Sequence, residues 1–306
     1  MAKSNKKSRA KRAASQAALK PPTAASQPVA KARAKPNKTA PKVAKNSAPL
    51  ARQDKPISKA WQTGWAVLYG VQALAILLLS VGRGFPVISR YLAKDALQSR
   101  GRGHTVLAQS WHQLFSVNLA YPIAAFLLVA MLAHIFMRVF YDNYLIDAKR
   151  GLNLWRWLHY GISGGLVAVS IGLVNGLQDI TGIIMLFGIV LVAALAGLIM
   201  EFYGRANQNL GWASYGLIIT LGVIGWLGIG FYGFGASLFG GQLPTYVYGL
   251  DISAWIFSLL FAGQLLLTQK RYGRWADYLF SEKTYMILAL LAQGAVAWQL
   301  FAAVLN

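Results

Sequence analysis

Six ionisable side chains, His134, Arg138, Arg156, His159, Glu201 and Asp251, stand in stretches that are otherwise nearly pure hydrocarbon. A charge surrounded by lipid costs on the order of 3 kcal/mol or more, so such a group turns inward and takes a partner. Arg156, His159 and Ser163 recur at i, i+3 and i+7, which places them on one face of a helix. Glu201, at the end of the next apolar stretch, comes to a similar depth. The spacing therefore predicts an Arg156–Glu201 ion pair, with no other acid inside the bundle within reach of Arg156. His134 and Arg138 share a helix face as well, and His134 is expected to join Arg156, His159 and Glu201 in one polar cluster near the cytoplasmic side. Two chemistries fit that cluster: an interhelical clamp that fixes packing, or a site that handles protons or holds a ligand. Asp251 is more isolated, with a loop arginine or a water-filled vestibule as its alternatives.

Other chemistries find no support. There is no Cys, and the four His show no HxxxH or HxH spacing, so neither disulfides nor a metal or haem site is expected. Phosphate-cradling glycine loops, a Ser-His-Asp order, paired carboxylates and HExxH are all missing, and no catalytic residue is assigned. The protein does not read as an enzyme.

The elements that position these residues follow from composition. Hydrophobic residues make up 56% of the chain and charged ones 13%, about half the share usual in soluble domains, yet the formal charge is +21. The charge is segregated: residues 1–59 hold 16 Lys or Arg against one acid, whereas the remainder carries 14 basic and 8 acidic residues. Residues 1–58, rich in Ala, Lys, Pro and Ser, lack the apolar side chains that could offset the entropy of ordering and are expected to be a disordered cytoplasmic tail. That tail reads first as a solvated, topology-setting segment, second as an adhesive for anionic lipid headgroups, and last as a nucleic-acid binder.

From residue 59 to 306 the chain reads as an all-α membrane domain. Seven stretches reach the roughly 20 apolar residues needed to span a bilayer: 60–81, 118–140, 153–175, 180–203, 211–236, 245–269 and 283–305. None alternates with the period of a barrel strand, so the spans are helices. Nine of the basic residues outside the tail fall on the tail's side, and five fall in the first loop on the other side. The positive-inside rule then predicts a cytoplasmic N-terminus and an extracellular C-terminus. The first outer loop, 82–117, is long, and its segments 85–91 and 104–107 flank a turn-forming run at 99–103, which suggests a short hairpin. Glycines of the fourth span (Gly182, Gly188, Gly197) and the fifth (Gly211, Gly216, Gly222, Gly225, Gly228, Gly230) offer close helix approach, within the bundle or across a dimer.

Three segments resemble one known family. The run from Gly273 to Gln299, which includes Ser281-Glu-Lys-Thr-Tyr-Met-Ile-Leu-Ala-Leu-Leu-Ala-Gln-Gly294 and Trp298-Gln299, resembles the heliorhodopsin seventh helix, E-(K/R)-x-Y-I-x-L-S-L-x-A-K-S-x-L-A-W-Q. Arg156-Trp-Leu-His-Tyr-Gly-Ile-Ser163 resembles that family's R-W-x-E-Y-S-I-S, and Leu198-Ile-Met-Glu-Phe-Tyr203 its L-x-M-E-x-Y. Gln72 and Leu132-Ala-His134 are weaker matches. The resemblance implies a seven-helix rhodopsin-like bundle of inverted topology, and a dimer. It also implies retinal on the Lys of A-K-S as a protonated Schiff base, with the Glu of W-x-E-Y as counterion. Here those positions hold Gln293 and His159, and Ala289 replaces the Ser four residues earlier. A carboxamide nitrogen, its lone pair delocalised into the carbonyl, cannot condense with an aldehyde, so retinal is not expected as a cofactor. The paired change fits, because a buried carboxylate without its cation would be destabilising.

The expected function is a retinal-free membrane sensor or interaction scaffold, homodimeric in the lipid bilayer. A pocket for another apolar or amphipathic ligand is expected near Tyr69, Gln72, His134, His159 and Gln293, and the ligand and protein partners are unspecified. The alternative is a small-molecule or ion transporter using Asp251, His134, His159 and Glu201 as a polar path.

Overall fold

The computed structural model describes residues 55, 57–82, 84–204 and 206–305. Its elements are α1 (Lys59–Leu79), β1 (Gly84–Lys94), α2 (Ala96–Arg102), β2 (Leu107–Asn118), α3 (Ala120–Val139), α4 (Tyr141–Arg150), α5 (Leu154–Val174), α6 (Ile180–Tyr203), α7 (Gln208–Leu238), α8 (Thr245–Gln269) and α9 (Tyr278–Leu305), with a 3-10 turn at Gly273–Ala276. Seven of these, α1, α3, α5, α6, α7, α8 and α9, are long and apolar enough to cross a membrane. The expected basic tail lies outside the described residues up to 54. The folded part begins slightly before residue 59, since Ile57 packs into the core and Ser58 caps α1.

Local chemistry sets where spans start. Ser58, Asn153, Asp179 and Asn207 each place a side-chain oxygen on a free N–H in the first turn of α1, α5, α6 and α7. In α1 the buried positions are Gln62, Trp65, Ala66, Tyr69, Ala73 and Ile76, a single 3.6-residue stripe. α1, α3, α5, α6 and α7 pack as neighbours in that order, while α9 returns against α1, α3 and α5 and carries α8 on its far side. Between α5 and α6 the approach is close because glycines leave room: a methyl at Gly165 would stand 2.6 Å from the Phe187 ring, and one at Gly197 would overlap Trp157. In α7 Gly211, against Gln269 and Gly204, and Gly233, against Leu243 and Asn175, are used this way. Gly216, Gly222, Gly228 and Gly230 have nothing near them. α7 leans on α6 and touches α8 sparsely.

The loop between α1 and α3 is a larger structure than the short hairpin expected from 85–91 and 104–107. β1 and β2 pair antiparallel from Gly84–Asn118 to Lys94–Leu107, with a bulge at Val87/Ile88. Asp95 caps α2 by accepting from the Gln98 N–H at 3.0 Å, and Gly103 ends that helix in the left-handed region. This helical tip moves the return strand downstream, so 104–106 is turn and 107–118 is strand. The sheet is anchored to α6: the Ile88 N–H donates to the Gln178 carbonyl at 2.9 Å and the Arg90 N–H to the Asp179 carboxylate at 3.2 Å.

Candidate functional site: a buried charge clamp and an apolar cavity

At the end of α5 that carries Asn153, Arg156 sits between two carboxylates. Its Nη2 pairs with Glu201 of α6, and its Nη1 with Glu282 of α9 at 2.5 Å; the Glu282 side chain is fully buried. Asn153 completes the group. Its Oδ1 accepts the Arg156 N–H at 3.1 Å, its Nδ2 donates to Glu282, and its backbone N–H donates to Glu201 at 3.0 Å. The guanidinium lies 4.5 Å from the Tyr285 ring centre, within cation–π range. The expectation that no other acid reaches Arg156 is therefore wrong. α9 begins at Tyr278 rather than 283, and the additional turn carries Glu282 inward. The signal was there: Glu282, Met286, Ala289 and Gln293 repeat at 4, 3 and 4, one buried helix face.

The single polar cluster expected of His134, Arg156, His159 and Glu201 is divided. Arg156 and Glu201 belong to the clamp. One turn deeper, His159 faces Gln293, whose Nε2 lies 3.0 Å from His159 Nε2 and 3.0 Å from Ser163 Oγ. His134 turns to α1, where Gln62 Oε1 is 2.6 Å from its Nδ1. Gln62, wholly buried, escaped the sequence reading, although it heads the α1 stripe. The Tyr69 ring stands between the histidines, 5.7 Å from His134 and 6.5 Å from His159, and fills the space that separates the groups. Its hydroxyl has no hydrogen-bond partner among the described residues. Gln72 lies apart, accepting from the Trp298 indole N–H at 3.2 Å. Arg138 donates to Thr63 at 3.2 Å. Asp251 is partly buried and accepts from Asn175 Nδ2 at 2.9 Å rather than from a loop arginine.

A cavity of about 790 Å³ lies among α5, α6, α7, α8 and α9. No charged residue lines it. Its wall is Trp, Phe, Leu, Ile, Val, Ala and Gly, with Ser258, Gln293 and the Tyr160 and Tyr285 rings as the polar exceptions. Of the candidates expected around a pocket, only Gln293 contributes; Tyr69, Gln72, His134 and His159 lie outside the wall. The reason is packing. Tyr69 fills the α1–α3–α5 space, whereas α7 and α8 diverge and leave room. Residues on the outer surface of those two helices, including Val223, Leu227, Phe231 and Trp255, line the cavity and are more than half exposed, so it opens sideways toward the bilayer.

The fold is that of a microbial rhodopsin. Over 82% of this chain and 97% of the other, the structure is similar to a light-driven proton pump from Leptosphaeria maculans, at TM-score 0.56 and 14% identity. Exiguobacterium sibiricum rhodopsin is similar at TM-score 0.52 and 16% identity, over 80% and 95%. These likenesses show the fold alone. The sequence of residues 58–305 matches the model of the Heliorhodopsin family, and the chain belongs to that family. It is a multi-pass integral membrane protein. No curated protein matches it.

Retinal, the group the family implies, fits this site in volume but not in attachment. Gln293 is the nitrogen-bearing side chain of α9 at the cavity wall, and no lysine lines the cavity.

Proposed function

We propose that this heliorhodopsin relative is a membrane sensor or interaction scaffold that binds an apolar or amphipathic ligand non-covalently, and neither an enzyme nor a retinal pigment. The observation that carries this reading is a cavity of drug-sized volume, open to the bilayer, whose wall bears an amide, Gln293, and no amine. The intramembrane polar groups support this over a transport path, because they close on one another rather than forming a file: His159, Gln293 and Ser163 in one group, Asp251 and Asn175 in another.

Mass spectrometry of extracts from protein purified in mild detergent tests the reading. A stoichiometric small molecule is expected with the wild type and should be depleted in Gly222→Phe, which adds a ring to the cavity wall at a position with open space. No ligand above the background of an unrelated membrane protein would count against it.

The proposal includes a cytoplasmic N-terminus, supported by the excess of basic residues on that side, and a basic tail that adheres to anionic headgroups. It also includes a homodimer, for which the open glycines of α7 offer a close-approach face. A membrane-impermeant reagent should label a C-terminal tag in intact cells and leave an N-terminal tag unlabelled; the reverse pattern would invert the topology.

A further inference from the structure

We infer that the cavity selects an uncharged apolar alcohol, a long hydrocarbon or polyene chain ended by one hydroxyl that donates to Gln293 Oε1. This rests on the non-covalent ligand site proposed above and adds which chemical class the site takes.

The argument runs through hydrogen-bond accounting at Gln293. The Ser163 hydroxyl donates its one proton to the Phe126 carbonyl at 3.1 Å. Its oxygen can then only accept, and the group 3.0 Å away must be the Gln293 amide nitrogen rather than the carbonyl. The same nitrogen lies 3.0 Å from His159 Nε2. Only one proton fits between two nitrogens at that distance, and an amide nitrogen always carries its own. His159 Nε2 is therefore the bare acceptor, with the imidazole proton on Nδ1. Both N–H groups of Gln293 are thus satisfied inside the bundle. Its Oε1 is left over: the nearest ring nitrogen, 3.4 Å away, is the one that has no proton to give.

Gln293 thereby presents an unspent acceptor at the wall of an apolar cavity. Gln293 Oε1 is the acceptor that stands open there, and the Trp157 indole N–H, which has no partner among the described residues, is an open donor. Ser258 is spent, donating to the Ala254 carbonyl at 2.9 Å and accepting from Trp226 at 3.1 Å, while the Tyr160 and Tyr285 rings pack together with centres 5.1 Å apart. A carboxylate would enter without a cation to meet it, since no charged residue lines the wall. An aldehyde, which only accepts, would set lone pair against lone pair at Gln293. An alcohol supplies the missing proton.

The test is equilibrium binding to the full-length protein in nanodiscs with four probes of one skeleton: all-trans-retinol, its methyl ether, all-trans-retinal and retinoate. The alcohol is expected to bind about 10-fold tighter than the ether, the value of one neutral hydrogen bond, and tighter than the aldehyde and the acid. Gln293→Leu should erase the alcohol's advantage while the ether still binds. Equal affinity of alcohol and ether in the wild type would overturn the inference and leave the ligand site standing, and this comparison needs no variant. An aldehyde bound as tightly as the alcohol would also overturn it, by assigning the recognition to a donor of the wall such as the Trp157 N–H. Failure of all four to bind would overturn both the inference and the reading beneath it.

Discussion

Replacing Arg156 with Met is expected to cost about 3–5 kcal/mol of stability, the largest loss of any single substitution in the clamp. The guanidinium is the one cation between Glu201 and Glu282, so its removal leaves two buried carboxylates facing each other. Glu201→Gln should cost far less, because a neutral Arg156–Glu282 pair survives. An isolated Arg156–Glu201 bridge would let a double change, Arg156→Met with Glu201→Gln, recover most of the loss. With Glu282 present it should not, and only neutralising Glu282 as well removes the stranded charge. Thermal unfolding in one detergent across this set decides the matter. A double mutant as stable as wild type would mean that Glu282 does not engage Arg156.

The second large effect is optical. Wild-type protein mixed with retinal should give no borohydride-trappable adduct, and Gln293→Lys alone should pigment poorly. The ends of side chains 293 and 159 meet, with nitrogens 3.0 Å apart, so a lysine imine at 293 would abut a neutral imidazole. Adding His159→Glu supplies an opposite charge, which should raise the proton affinity of the imine by about 1–3 pK units. Pigment yield at neutral pH should rise accordingly in the double variant. Equal yield and absorbance from single and double would show that residue 159 is not the counterion position.

The spans were legible because twenty apolar residues in a row have few alternatives, and the third and seventh helices carry motifs that resemble one family. What stayed hidden has a common cause: sequence shows which residues share a helix face, but not which neighbour that face meets. Tyr69 and Gln72 sit one turn apart in α1, yet the first lies between two histidines and the second meets Trp298. Glu282 was missed by a helix boundary, since hydropathy starts the last span at the first uninterrupted apolar run and discounts a turn that opens with polar residues. The cavity depends on the divergence of α7 and α8, which no residue of either helix announces.

That divergence has a mechanical consequence. α5, α6 and α9 are fastened by the clamp, and α1 packs closely against α3 and α3 against α5, whereas α7 and α8 hold each other loosely across the cavity mouth. Their separation is set by whatever presses on them from outside. Acyl-chain order, bilayer thickness and lateral pressure therefore act directly on the width of the opening. On the function proposed above, the membrane is part of the wall of the ligand site, and its composition is a variable of affinity in its own right.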